Sequence, residues 1–147
     1  IPHAEWSIQR RHHHQKAGSQ EANPFTYVQS VFAGPSSGKT TMMKFLLLLM
    51  EAKGYRAVAF SGDDYYHPYD QIAKMPETEH RGYEQGWWPF GAHDLPELDR
   101  TFRELKAAEE GDEVRILQFG RYSKRGVRDR EAPRVVTGPF DFVFYAR

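Results

Sequence analysis

The chain has 147 residues, with 20 lysines and arginines against 20 aspartates and glutamates and a formal net charge of +0. This length predicts one domain with a sizeable core, and the balanced charge argues against nucleic-acid binding, which usually rests on a basic excess. The absence of cysteine excludes disulfides, thiolate zinc sites and thiol nucleophiles, and is typical of a cytoplasmic protein. No apolar run approaches the roughly 18 residues of a membrane span, so we expect no membrane segment.

The first part of the chain is polar and has no clear period. Residues 1–24 include the run His12-His13-His14, and we expect a disordered or vector-derived arm there, followed by one domain over residues 25–147. Adjacent histidines without a distant fourth ligand make a poor metal site, so a solvated tail is the better interpretation.

Strand and helix signals alternate from residue 25 onward. Residues 25–32 are rich in β-branched and aromatic side chains and predict a strand. Residues 40–53 are apolar almost all round and predict a buried helix that stops at Gly54. Residues 55–60 predict a second strand, which ends in the loop Ser61-Gly62-Asp63-Asp64.

Residues 64–92 hold several prolines and glycines and predict a long irregular excursion. Asp94 is then expected to cap a helix that ends at Gly111. Its buried face is predicted to include Leu98, Phe102, Leu105 and Ala108.

The last segments complete the predicted fold. Residues 113–119 alternate as a strand, residues 121–134 form a basic loop, and residues 140–145 predict a final strand. This order predicts an α/β layered fold around a mostly parallel sheet. Ligands of such folds lie beyond the C-terminal ends of the strands.

The segment between the first predicted strand and helix matches a phosphate-binding loop. It reads Ala33-Gly34-Pro35-Ser36-Ser37-Gly38-Lys39-Thr40, with Ala33 in place of the first glycine. Small residues let backbone N–H groups approach phosphate oxygens, and the helix adds the positive end of its dipole. In such a loop Lys39 reaches the β- and γ-phosphates and the Thr40 hydroxyl binds Mg²⁺. The alternative, a glycine-serine turn before a core helix, is disfavoured because strand and helix flank the loop directly.

Asp63 follows the second predicted strand and should lie at the same sheet edge as this loop. Phosphoryl transfer to a hydroxyl needs a carboxylate that orients the attacking oxygen and accepts its proton. A solvated Gly-Asp turn is the alternative. The neighbouring phosphate loop favours the catalytic interpretation.

Residues 27–145 resemble the uridine kinase and phosphoribulokinase group of P-loop kinases. The resemblance rests on residues 33–41, ending in Thr41, and on Ser61-Gly62-Asp63-Asp64-Tyr65-Tyr66. It implies the N-terminal part of a three-layer P-loop NTPase fold and a kinase that uses ATP and Mg²⁺. By the same match Asp63 is the catalytic base and, with Thr40, a magnesium ligand.

A further segment, Phe90-Gly91-Ala92-His93-Asp94, is similar to the one that brings an acidic residue to the acceptor sugar in uridine kinases. The resemblance implies that Asp94 holds this sugar, with Tyr65 nearby. Phe119 and Lys124 stand where uridine kinases place a tyrosine and a histidine for the base. The implied reaction moves the γ-phosphoryl group of ATP to a hydroxyl of a nucleoside or related sugar. The sequence allows a homo-oligomer but does not predict an oligomeric state.

Two alternatives remain. Residues 62–70 also resemble phosphoribulokinases, whose sugar-phosphate acceptor requires cations. A basic set could supply them or could be a solvated loop: Arg121, Lys124, Arg125, Arg128 and Arg130. The other alternative is nucleotide binding without turnover, because Tyr145 stands where the family has an acidic magnesium residue. The family also continues into an arginine-bearing lid beyond this strand, so we expect a truncated or shortened form of the fold.

Overall fold

A computed structural model of the chain describes residues 2–17, 26–32, 37–72, 74, 90–119 and 130–147. Its helices are α1 (Pro2–Ala17), α2 (Lys39–Ala52), α3 (Tyr69–Ile72) and α4 (Leu95–Ala107). Its strands are β1 (Tyr27–Val31), β2 (Ala57–Ser61), β3 (Glu113–Ile116), β4 (Arg134–Thr137) and β5 (Phe142–Ala146). Short 3₁₀ turns cover Gly62–Tyr65 and Phe90–Ala92. None of the helices in these ranges is both long enough and apolar enough to cross a membrane.

Three strands form a parallel sheet in the order β1-β5-β2. Val31 and Ser61 both pair with Ala146, so all three strands end at one edge. This confirms the predicted α/β fold with a parallel sheet. All five residues of β5 are buried, as expected for a central strand covered on both faces.

Alternating side chains of β5 enter two separate cores. Phe142 and Phe144 pack on the face that carries α1 and α2, with Met50 among their partners. Val143 and Tyr145 pack on the opposite face, together with residues of α4 and β3. The sheet is therefore the middle of three layers, which is the arrangement that the resemblance implied.

The antiparallel pair β3–β4 lies outside the parallel sheet. The predicted strand over residues 113–119 is shorter in the structure and ends at Ile116. Its partner β4 begins at Arg134, the last residue of the predicted basic loop. Val135 in this strand is 51% exposed. Apolar and polar residues therefore do not alternate here between the core and solvent, which is the pattern that would have predicted a strand.

The structure differs from the expected arm at the N-terminus, because α1 is a helix that docks on the sheet. Its contact face carries the buried residues Ala4, Ser7 and Arg11. The Ser7 hydroxyl donates a 2.6 Å hydrogen bond to Gln29 Oε1, and Arg11 forms a 2.6 Å ion pair with Asp141. Polar side chains make much of this contact, so the helix shows no apolar period in the sequence.

The predicted cap of α4 is confirmed. The Asp94 carboxylate accepts a 3.2 Å hydrogen bond from the Glu97 N–H, which satisfies one of the open donors at the helix start. The helix ends before Gly111, whose φ of 91° lies in the left-handed region that favours glycine. Leu105 is fully buried in the core below the sheet.

Candidate functional site

Helix α2 begins at the sheet edge where the parallel strands end. Gly38 caps it with φ 80° and ψ 15°, a left-handed conformation that suits glycine. Residues 33–36, which include Gly34, Pro35 and Ser36, lie outside the described residues, whereas Ser37 is described and exposed. The described end of the predicted phosphate-binding loop, Ser37 and Gly38, therefore leads directly into the helix.

The N-terminus of α2 is open, in the sense that no capping side chain and no acidic residue in the described part of the chain compensates its N–H groups and its dipole. No side chain of the described residues caps it, and its first turn carries no acidic residue. The first turn instead carries Lys39, Thr40 and Thr41, of which the two threonines are exposed. A helix start of this kind favours a bound anion, because its N–H groups and dipole both attract negative charge.

A cavity of about 260 Å³ lies between α2, the end of β2, and the ends of the β3–β4 pair. Apolar side chains such as Met43 and Leu47 form one part of its wall. The polar residues that line it come from five parts of the chain, and they are Thr40, Lys44, Ser61, Asp64, Gln118 and Arg134. Thr40 thus lies both at the open helix start and in the lining of this cavity.

The structure places Asp64, and not Asp63, at this cavity. Asp64 is half-buried, and its Oδ1 accepts a 3.1 Å hydrogen bond from the Phe119 N–H. Asp63 is exposed, and its own N–H donates to Ser61 Oγ at 3.2 Å. Successive residues of a 3₁₀ turn project about 120° apart, so only one of two neighbouring aspartates can face the cavity.

Tyr65, which the resemblance put near the acceptor, lies in the core. It is fully buried, its hydroxyl donates a 2.9 Å hydrogen bond to Thr101 Oγ1, and its ring contacts Phe60. Burial raises the pKa of the Tyr65 hydroxyl. The last residue of the 3₁₀ turn after β2 thus faces the core and α4, and contact of Tyr65 with the acceptor stays a prediction.

Asp94 is occupied by contacts within the protein. Its Oδ1 accepts from the Glu97 N–H, and its Oδ2 lies 3.3 Å from a guanidinium nitrogen of Arg130. The Arg130 guanidinium also lies 6.0 Å from the centre of the Phe119 ring. Asp94, Phe119 and Arg130 therefore form a cluster next to the cavity, joined to it through the Phe119 N–H and Asp64. Lys124 lies outside the described residues.

His93 is a candidate that sequence reasoning did not assign to the site. Its ring lies 3.9 Å from that of Tyr66, and the two residues also form a backbone bridge. Burial lowers the pKa of His93, and Arg147 lowers it further, whereas Asp63 opposes both. Asp63 therefore acts on His93 electrostatically, whereas Asp64 lines the cavity.

The end of β5 presents Ala146 to the cavity, and Tyr145 faces the opposite core. The Tyr145 ring packs against Phe60 and Phe102 at 5.3 and 5.2 Å, and burial raises its pKa. A side chain at Gly62 would collide with the Tyr145 hydroxyl, so this close approach requires glycine. Of the last two strand residues, the one that faces α2 is thus an alanine without a carboxylate.

The site combines residues that the sequence predicted with others that it did not. Lys39 and Thr40 are found where the motif placed them. Lys44 was missed, although its position one turn after Thr40 puts both on one helix face. Arg134 carries no local signal, because its place in the cavity depends on the packing of separate elements. The sequence did mark the pair Asp63 and Asp64, but it did not show which of the two lines the cavity.

The fold is that of the P-loop kinases, as comparison with solved structures shows. The D-glycerate 3-kinase from Cryptococcus neoformans var. grubii serotype A is 22% identical, with a TM-score of 0.76 over 99% of this chain and 50% of that chain. A possible uridine kinase from Bacillus stearothermophilus is 17% identical, with a TM-score of 0.59 over 95% of this chain and 70% of that chain. The phosphoribulokinase from Rhodobacter spheroides is 20% identical, with a TM-score of 0.51 over 84% of this chain and 43% of that chain.

These comparisons confirm, at the level of the fold, the resemblance to uridine kinases and phosphoribulokinases. The chain spans half of the glycerate kinase and less than half of the phosphoribulokinase. No protein-family model matches the chain, and no curated protein sequence matches it.

Proposed function

We propose that the chain is the nucleotide-binding part of an ATP-dependent kinase that phosphorylates a hydroxyl of a nucleoside or related sugar. The observation that carries the proposal is the single cavity shared by Thr40, at the open start of α2, and Asp64, at the end of the neighbouring strand. Phosphoryl transfer needs this pairing of a phosphate-binding helix start with a carboxylate near the acceptor.

The residues of the helix start suit ATP and Mg²⁺. ATP supplies the phosphoryl group and Mg²⁺ neutralises its charge when they are bound. Residues 34–41 would hold the triphosphate through backbone N–H groups, and the Lys39 ammonium would stabilise negative charge on the transferring group. The Thr40 hydroxyl and the Asp64 carboxylate are hard oxygen donors on one cavity, as Mg²⁺ prefers. In the described ranges, no three histidine or acidic side chains cluster into a metal site made of protein ligands alone.

Two neighbouring aspartates are candidates for the base that activates the acceptor. The family resemblance supports Asp63 as base and magnesium ligand, whereas the position in the cavity supports Asp64. Asp94 remains the proposed contact for the acceptor sugar, through oxygen lone pairs that Glu97 and Arg130 leave open. Phe119 and Lys124 remain the proposed contacts for the nucleobase of a nucleoside acceptor.

A second candidate function is nucleotide binding without turnover. It is favoured by Tyr145, which stands where the resemblance implies an acidic residue and which packs in the core opposite the cavity. The neighbouring Ala146 lines the cavity but has no carboxylate. Nucleotide affinity would then depend on Lys39 and Thr40 as before, but no acceptor would be phosphorylated.

Phosphate transfer from Mg-ATP to a panel of nucleosides and sugars tests the proposal. Asp63→Asn and Asp64→Asn are tested separately. We expect the variant that removes the catalytic base to lower turnover by about 10²–10⁴-fold. Asp99→Asn, at an exposed aspartate of α4, is the control and should leave turnover unchanged. Full turnover in both variants would refute the assigned roles. Binding of Mg-ATP with no phosphorylated product from any acceptor would instead favour the second candidate.

A further inference from the structure

The cavity beside Thr40 contains two cations that the proposed nucleotide site does not use. Lys44 is exposed on α2, and Arg134 is the first residue of β4. Neither forms an ion pair with any of the acidic side chains that the structure describes. The cavity also holds one carboxylate, that of Asp64, so its lining has an excess of positive charge.

Arg134 is only partly satisfied by the protein. One Nη2 hydrogen of Arg134 is donated at 2.5 Å to the carbonyl of Ala59 in β2, which is an outer strand of the described sheet. The Nε atom is buried and has no hydrogen-bond partner within the described ranges. Leaving a buried donor unpaired is costly, and the cost is larger for a charged group. Burial also closes Nε to a ligand in the cavity, so an anion would bind the guanidinium through its other N–H groups, of which one is donated to Ala59.

The chemistry of the guanidinium identifies the class of ligand. Its planar fork fits the two oxygens of a carboxylate or phosphate group and makes strong charge-assisted hydrogen bonds to them. A volume of 260 Å³ equals that of roughly nine water molecules, so the ligand is small. Met43, Leu47 and Ile116 in the wall limit water and thereby strengthen the attraction between charges.

We propose that Arg134 and Lys44 form an oxyanion subsite for a carboxylate or phosphate group of the small molecule that enters beside Thr40. The subsite narrows the proposed acceptor to a sugar or related compound that carries such an anionic group. Its assignment to the acceptor rests on the proposed kinase function, but its affinity for an anion does not.

Calorimetric titration of the whole chain with three matched compounds tests the subsite without any phosphate transfer. The compounds are glycerol, glycerate and glycerol phosphate, which carry no anion, a carboxylate and a phosphate. We expect one or both anions to bind at least about tenfold more tightly than glycerol, and their difference tells which group the subsite prefers. Equal binding of all three would overturn the inference.

Variants then locate the anion. Arg134→Gln should weaken binding of the preferred anion by about ten- to a hundredfold, and Lys44→Gln by about two- to fivefold. Arg115→Gln, an exposed arginine on β3 outside the cavity lining, is the control and should bind as the parent chain does. Unchanged affinity in folded Arg134→Gln would overturn the subsite. If circular dichroism shows that this variant is unfolded, Lys44→Gln decides in the same way.

Two further outcomes distinguish this subsite from anion binding at the phosphate loop and from the proposed kinase function. An affinity that falls in Lys39→Ala and persists in the cavity variants would place the anion at the phosphate loop and overturn the subsite. Anion binding that depends on Arg134, in a chain that phosphorylates nothing, would refute the proposed kinase function and leave the subsite intact.

Discussion

Helices α2 and α4 begin in opposite ways. At the N-cap position α2 has Gly38 in a left-handed conformation, whereas α4 has Asp94, whose carboxylate accepts from a first-turn N–H. Three residues later α2 has Thr41, and α4 has the acidic Glu97. The start of α4 is therefore satisfied by its own sequence, whereas that of α2 is left for a ligand.

The difference shows that the start of α2 is less stable than its sequence could make it. A lysine in the first turn opposes the helix dipole, so Lys39 is poorly placed for helix stability alone. Asp94 and Glu97 contribute to the stability of α4, and Glu97 also pairs with Arg100. Thr40 opens onto the cavity, while the α4 start is covered by Arg130 and by the segment around Tyr66.

The largest expected effect comes from Lys39→Ala. It should lower Mg-ATP-dependent turnover by about 10²–10³-fold, because it removes a cation aimed at the transferring phosphate. It should also raise the free energy of unfolding by about 0.3–1 kcal/mol through relief of the dipole clash. Lys53→Ala, at the other end of α2, is the control and should leave turnover unchanged. If Lys39→Ala lost stability and kept its turnover, Lys39 would serve the stability of α2 and not phosphate transfer.

Asp94→Ala tests the other side of the comparison. Loss of the cap should lower the free energy of unfolding by about 0.5–2 kcal/mol in urea titrations. Asp99→Ala is the matched control on the same helix, because its exposed ion pair with Arg103 is worth at most about 0.5 kcal/mol. Equal losses in the two variants would show that the cap at Asp94 does not stabilise α4.

Local sequence patterns predicted much of the fold and little of the cavity. Helices α2 and α4 follow from apolar spacing and from glycines beyond their ends. Helix α1 does not, because Ser7 and Arg11 make its docking contacts through hydrogen bonds and charge. Strand β4 does not either, since its pairing partner β3 is distant in sequence and its outer face is exposed.

The same distinction applies to the candidate site. Lys39 and Thr40 belong to a contiguous motif whose geometry is fixed by neighbours in the chain. Asp64, Lys44 and Arg134 meet only because α2, β2 and β4 pack together. The choice between Asp63 and Asp64 depends on the direction of side chains in one 3₁₀ turn, which the sequence does not specify.

A pH titration of stability tests the packing just before the cap of α4. Burial and Arg147 lower the pKa of His93, with a smaller contribution from His67 and an opposing one from Asp63. Between the folded value and the usual value near 6.5, the unfolded chain therefore binds more protons than the folded chain. Stability should fall as pH drops below about 6.5, by less than about 1.4 kcal/mol per pH unit, which is the limit for one proton.

Urea denaturation of His93→Gln at several pH values measures this contribution. The variant should lose that part of the pH dependence, whereas Tyr66→Phe keeps an aromatic ring beside His93 and should retain it. An unchanged pH profile in His93→Gln would show that the histidine is not held in its neutral form by the fold.

A small change in stability is expected from Thr41→Glu, which gives α2 the acidic residue that α4 has at the equivalent position. A carboxylate in the first turn should raise the free energy of unfolding by about 0.3–1 kcal/mol. It should also weaken Mg-ATP binding, because it repels the phosphates that the open helix start attracts. Thr41→Gln carries no charge and should change neither quantity by a comparable amount. Since Thr41 is exposed, a gain in stability together with unchanged nucleotide affinity would mean that the start of α2 does not bind the anion.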